Sequence, residues 1–348
     1  MKHVDTLIVG FGLAGLAYAE VLHQEKKSFH VIDTNTGGSS VIAAGIYNPT
    51  LLKRFTMTWR GAELHQIALP FYEHIEKRLN NQFLFPATIY KLFSQIADHN
   101  DWIIACEKNN LSLFLDDKIY NAPIKGIRIP FGYGKVNLCG RLNTKELINQ
   151  YKATISHFIT PAHFDYSSLI INDKGIQYGS IRAKRLVFCE GFAMKKNPFF
   201  NDLPLVGSKG QILLIKSTDL KSFQILKGPI FIVPMGNDMY WAGASFEQND
   251  KTLECTTDAK NWLIDKVKKM ISVPFTVVDQ LTHIRPTVKD RRPLIGTHPK
   301  FSNIHLLNGL GSRGVLTAPQ AAYWLFHSIE RGEALPKEVN ISRFKKTT

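Results

Sequence analysis

Glycines at positions 10, 12 and 15 form G-x-G-x-x-G in "IVGFGLAG", directly after an apolar run and directly before a helix-like one. The spacing suits the holding of a pyrophosphate. Gly10 permits a tight turn, Gly12 lets the backbone approach the phosphates, and Gly15 lets helix and strand pack closely. A helix N-terminus at this point offers free N–H groups and the positive end of its dipole to an anion. A second apolar run, "SFHVID" (28–33), ends in Asp33, whose carboxylate is placed to accept hydrogen bonds from a ribose. The next residues choose between dinucleotides. An NAD domain would run on through further βαβ repeats, but here the chain enters "TNTGGSSVIAAGIYNP" (34–49). Such small side chains let a loop lie against a flat, bulky ring, which favours FAD. Ala43, Ala44 and Ile46 are also too apolar for an ordinary surface loop.

The strand–glycine-loop–helix pattern returns in "NIHLLNGLGSRGVLTAPQAAYWLF" (303–326), with a helix expected over 315–328. Reducing a flavin by two electrons places negative charge on its N1–C2=O edge. A helix N-terminus reached through small residues can stabilise that charge. The first loop would then hold phosphates and the second the reacting ring. Between them, "THIRPTVKDRRPLIG" (282–296) puts Arg285 at a strand end before Pro286, where its guanidinium can grip a carboxylate with two bonds. Pairing of Arg285 with Asp290 is the competing reading. Asp290 itself reads as a brace for the loop before Pro293.

These residues need a scaffold. The sequence predicts a buried strand over 4–9, a helix over about 13–23 and a second strand over 28–33, a βαβ opening. Aromatic, β-branched and turn residues mix between about 80 and 140. A short helix follows, with Asn143 or Thr144 as cap. A hairpin is expected around Asp173-Lys174-Gly175, a buried strand over 185–191, and antiparallel strands over 209–215 and 230–246 turning at Gly236-Asn237-Asp238. Apolar residues at 263, 267 and 270 fit a helix laid on a sheet. The expected fold class is α/β with an α+β second lobe. A Rossmann-type FAD-binding domain (1–78, 141–203 and 280–348) interleaves with an antiparallel-sheet substrate-binding domain (79–140 and 204–279).

At 348 residues the chain suits two modest lobes, and no apolar run nears the ~20 residues of a membrane span. The "MKHVDTLIVG" start is not read as a signal peptide, because Asp5 interrupts its charged region and a βαβ unit follows. Cys106, Cys139, Cys189 and Cys255 lie far apart without CxxC, so free thiols in a cytoplasmic protein are expected, and no metal site. The net charge of +14 permits a polyanionic partner, yet Lys and Arg are spread along the chain with only short clusters at 182–185 and 266–269.

Taken in order, "IVGFGLAG", "AAGIYNP", "RLVFCEG", "KGQ", "IVPMGND…WAGAS", "IRPTVKDRRPLIG" and "GLGSRG…AP" resemble the D-amino-acid-oxidase type of flavoproteins, on the glycine/sarcosine oxidase branch. The final loop is most similar to the flavin half of a bifunctional enzyme maturing carboxymethylaminomethyluridine at the tRNA wobble position. The methyltransferase half found beside it there is not in this sequence, which opens on its first strand. The resemblance implies hydride transfer from the α-carbon of an amine to flavin N5, with water hydrolysing the resulting imine. It implies FAD contacts at Gly10, Gly12, Leu13, Ala14, Gly15, Asp33, Thr34, Ser39, Ser40, Ala43, Ala44, Gly45, Ala162, Gly191, Gly311, Ser312, Arg313, Gly314 and Val315. It places Arg285 on the substrate carboxylate, with Ile46, Tyr47 and Phe231 lining the pocket. Tyr240 and Trp241 either alternate between pocket and core, in an order the residues leave open, or both belong to an aromatic core. A second arginine, in the last loop of glycine oxidases, has no direct match: Ser312 stands there, with Arg313 one residue later. With no Cys or His in "NGLGSRG", non-covalent FAD is expected. The implied substrate is a free amino acid or N-substituted glycine, or the same group carried on tRNA. A flavin-carrying electron-transfer protein and a non-enzymatic RNA binder are the rival readings.

Overall fold

The computed structural model describes residues 1–172 and 175–344. Two large sheets dominate. In the first, strands Ile159–Pro161, Phe29–Asp33, Lys2–Val9 and Ile181–Phe188 lie side by side and parallel. The far edge of Ile181–Phe188 is shared. Its first half pairs antiparallel with Gly175–Tyr178, and its last residues pair parallel with Ile304–Asn308. Strands Leu169–Asn172 and Leu294–Thr297 complete the sheet. The tip of the expected hairpin, Asp173-Lys174, lies outside the described residues. Apolar runs such as Leu7–Val9 and Leu186–Phe188 suit strands covered on both faces.

Helices Leu13–Gln24 and Gly314–Arg331 pack together on one face of this sheet, joined by Gly61–Leu79. In the first helix every residue from Leu13 to Leu22 is buried. The Gly61–Leu79 helix was not apparent in the sequence. Pro70 sits inside it and normally argues for a break, yet Leu64, Ala68, Phe71, Tyr72 and Ile75 form one buried stripe. The ten-residue helix Ala97–Cys106, anchored by Trp102, is also additional to the expected elements. Asn143 caps the Thr144–Thr154 helix by accepting from the Glu146 N–H.

The second sheet runs in the order Thr276–Arg285, Ser208–Lys216, Met239–Gly243, Phe231–Gly236, Ile225–Lys227, Ile89–Leu92, Tyr133–Val136. It is antiparallel except where Ile225–Lys227 meets Ile89–Leu92. Asn237 and Asp238, both at positive φ, make the tight turn before Met239. Alternation divides the sheet's side chains. Leu213, Ile215, Ile232 and Tyr240 pack on Leu263, Val267 and Met270. Ile212, Val233, Trp241 and Phe231 face Ala44, Ile46, Leu52 and Phe55. Residue 280 falls inside the continuous strand Thr276–Arg285. A three-stranded sheet of Ile46–Tyr47, Gly140–Leu142 and Leu84–Pro86 stands beside the large ones. Among the described residues no helix is long and apolar enough to cross a membrane.

Trp102 is fully buried, its Nε1 donates to the Asp116 carbonyl at 2.8 Å, and a Cβ on Gly134 would collide with its indole. Gly134→Ala should therefore cost about 1–3 kcal/mol of stability through overpacking. Urea unfolding followed by circular dichroism measures this, and an unchanged midpoint would show that the ring does not need that gap.

Candidate active site

The first glycine loop leaves the end of Lys2–Val9. Gly10 sits at φ +90, where a Cβ would lie 2.7 Å from the Cys189 carbonyl oxygen, and a Cβ on Gly15 would strike the Gly10 carbonyl. Gly12 begins the Leu13–Gln24 helix without a side-chain cap of its own. Ser40 supplies a partner instead: its Oγ accepts from the Leu13 N–H at 3.1 Å, the distance a Cβ on Gly12 would also have from it. The first-turn N–H groups of Ala14 and Gly15 have no partner among the described residues. Asp33 accepts from the Phe11 N–H at 2.9 Å and is ion-paired with Lys152 at 2.6 Å. Sequence reading missed that pair because Lys152 arrives from a distant helix. Thr34 bonds to Thr36 through their hydroxyls, and Ala162 N–H donates to the Asp33 carbonyl, extending the edge strand beside it.

The second glycine loop, 309–313, leaves Ile304–Asn308. That strand and Lys2–Val9 flank the same strand, Ile181–Phe188, so both loops emerge at the same edge. A Cβ on Gly314 would lie 3.4 Å from Leu13 Cδ1, which brings the two helix N-termini together. The Gly311 N–H donates to the Pro286 carbonyl at 3.1 Å, tying the second loop to the residue after Arg285. Arg313 Nη1 donates to the Asn48 carbonyl at 3.0 Å, and Tyr72 OH to the Val315 carbonyl at 2.9 Å. Burial, and then the charge of Arg291, lowers the Arg313 guanidinium to about 10. Ser312 lies in this loop immediately before Arg313. The loop containing Ser39, Ser40, Ala43, Ala44 and Gly45 is pinned from the second sheet, where Trp241 Nε1 donates to the Ile42 carbonyl at 2.9 Å. Trp241 thus faces this loop while Tyr240 turns into the opposite core.

Arg285 ends its strand on the same face as Leu281, Ile212 and Phe231, by the register that aligns the last three across four strands. Its guanidinium lies over Gly210, whose missing side chain leaves the room. Its protein partner is the Ser245 carbonyl, at a long 3.5 Å. Burial lowers its pKa, and no carboxylate among the described residues pairs with it. Asp290, the rival partner, is held by Arg343 at 2.8 Å. Ile46 and Tyr47 are neighbours in a strand and face opposite ways. Ile46 joins the cluster containing Phe231, whereas Tyr47 is buried with the first helix. Two further residues had no sequence signal. His283, on the Arg285 face, is pulled below its usual pKa by burial. Arg141, paired across from Ile46, is buried over the Phe85 ring, and its Nη1 has no partner among the described residues.

These features can hold an extended dinucleotide. Two neighbouring helix N-termini present backbone N–H groups, and a Cβ on Gly38, Gly191 or Gly311 would meet no atom within 4 Å. The family model for FAD-dependent oxidoreductases, DAO, matches residues 5–327. The chain is 22% identical over 374 residues to the tRNA 5-methylaminomethyl-2-thiouridine biosynthesis bifunctional protein of Nitrosospira multiformis, covering 96% of this chain and 58% of that protein. It therefore spans less than two thirds of this curated relative. Glycine oxidase from Geobacillus kaustophilus superimposes with a TM-score of 0.84 at 16% identity, covering 99% of this chain and 100% of that one. Iminodiacetate oxidase from Chelativorans sp. BNC1 gives 0.76 at 19% identity, covering 96% and 98%. The two structural likenesses are likenesses of fold.

Gly12→Val should occupy the space before the first helix and weaken FAD retention by at least about tenfold, the effect of roughly 1.4 kcal/mol. The ratio of flavin to protein absorbance after gel filtration measures it. Full retention would remove the pyrophosphate from this loop.

Proposed function

Because the chain belongs to the FAD-dependent oxidoreductase family, we propose that it oxidises the C–N bond of an amino acid or N-substituted glycine. One observation carries the reading: Arg285 is an enclosed guanidinium with no carboxylate partner among the described residues, on the face shared with Phe231 and beside the second glycine loop. A buried cation left unpaired is costly unless a ligand supplies the anion. Bound FAD supplies the hydride acceptor. The chain's own residues position the substrate. Arg285 holds the carboxylate and so orients the α-carbon, while Phe231 and Ile46 form the apolar wall that excludes water. The N-terminus of the Gly314–Arg331 helix provides positive potential for negative charge arising beside it. FAD is held without a covalent bond, through the first loop, Ser40, Asp33 and the second loop.

A tRNA-borne carboxymethylaminomethyl group is the second reading. It is favoured by similarity along 96% of the chain to a protein named for tRNA thiouridine biosynthesis, together with the net charge of +14. Such a group is itself an N-substituted glycine, so Arg285 serves both readings.

Anaerobic bleaching of the flavin at about 450 nm separates the readings when glycine, sarcosine, proline and D-alanine are compared with tRNA carrying the modified uridine. Rapid bleaching by a free amino acid supports the first reading, and bleaching by tRNA alone supports the second. Arg285→Ala should cost about 2–5 kcal/mol in kcat/KM, whereas Arg285→Lys should recover part of this by keeping the charge without the paired donors. Unchanged turnover in Arg285→Ala would leave an electron carrier without a carboxylate substrate.

A further inference from the structure

A cavity of about 630 Å³ opens among Leu52, Phe55, Lys91, Lys227 and Pro229. Its wall carries five cations, Lys53, Arg54, Lys91, Lys108 and Lys227, against two carboxylates, Asp98 and Asp101. Lys91 is only 9% exposed. Its ammonium donates to the Leu92 carbonyl at 2.8 Å and lies 5.7 Å from the centre of the Phe55 ring. Lys227 donates to the Gly228 carbonyl at 2.9 Å, with its ammonium 4.7 Å over Phe231. Neither lysine has an ion pair among the described residues. Asp98 accepts from the backbone N–H and the hydroxyl of Ser94 at 2.7 and 2.8 Å and attracts Lys91 without forming an ion pair with it.

Two enclosed ammonium groups that repel one another, with Asp98 attracting Lys91 and neither in an ion pair among the described residues, leave the free protein with a standing electrostatic cost. Burial first, and then repulsion from Lys91 and Lys53, brings Lys227 down to about 8. A compact ammonium carries three donors and suits a tetrahedral oxyanion, whose charge several such groups can share. Leu52, Phe55 and Pro229 add apolar wall for whatever bears the anion.

We propose that this cavity is a phosphate site, separate from the cofactor cleft, in which Lys91 and Lys227 bind the phosphate of a nucleotide or an RNA strand. The site is independent of which substrate Arg285 receives. The two sources share the same chemistry and differ in what is attached to the phosphate.

The test uses FAD-loaded protein, so that the cofactor's own phosphates already fill their place. Wild type is compared with Lys91→Met/Lys227→Met and with Lys227→Gln alone, the milder change serving if the pair impairs FAD loading. Inorganic phosphate, AMP and an RNA stem-loop are titrated at low and moderate salt, read by melting temperature and fluorescence anisotropy. The expected result is binding by wild type that falls at least tenfold in the variants, with flavin absorbance intact. A loss confined to phosphate and AMP identifies a free ligand. A loss extending to RNA, with a salt slope shallower by roughly one to two, identifies the strand. Without ligand, the variants should melt at or above the wild-type temperature, since a like-charge repulsion has been removed. Equal binding by wild type and variants, absence of binding by wild type, or variants that melt lower without ligand would overturn the proposal.

Discussion

The close approach of two helix N-termini, one from each end of the sequence, is the constraint on which the rest of the structure depends. It is helped by Gly314, which has no side chain to fill the space beside Leu13 of the first helix. Parallel strands on either side of Ile181–Phe188 aim both helices the same way, so their dipoles add at one rim of the sheet instead of cancelling. The neighbouring parts are tied to that rim by single bonds. Ser40 reaches the first helix, Arg313 the Asn48 carbonyl, Gly311 the Pro286 carbonyl and Trp241 the Ile42 carbonyl.

The same region concentrates positive charge that has no carboxylate partner among the described residues. Arg285, Arg313 and Arg141 are enclosed, and backbone carbonyls or an aromatic ring stand where carboxylates would be expected. Other arginines are paired in the usual way, as with Arg343 and Asp290 or Arg78 and Glu20. On the function proposed above, the contrast separates cations that hold the structure from cations kept available for a bound anion.

Much of this architecture was legible in the sequence. The opening glycine spacing, the second glycine loop, the strand ending at Arg285 and the cap at Asn143 all rest on local rules, in which residue type and short spacing decide conformation. The Gly61–Leu79 helix escaped because Pro70 obeys a local rule that tertiary packing of its buried stripe overrides. Lys152, Arg141, Lys91 and His283 escaped for a different reason. Each acquires its surroundings from strand register or from a helix more than a hundred residues away, and no spacing in the chain encodes that meeting. Tyr47 shows the converse. Its motif position grouped it with Ile46, but a strand sends successive side chains to opposite faces.

The interleaving also governs how the molecule can be made. On the ribosome, Lys2–Val9 and the first helix emerge early, but the strand that flanks their neighbour and the helix that covers them are translated long afterwards. Until Ile304–Asn308 arrives, the nascent sheet has an open edge and the first helix lacks its main apolar cover. The rim at which the two helix N-termini meet is thus completed late in synthesis, and until then the earlier strands carry an unpaired edge of the kind that other chains can pair with.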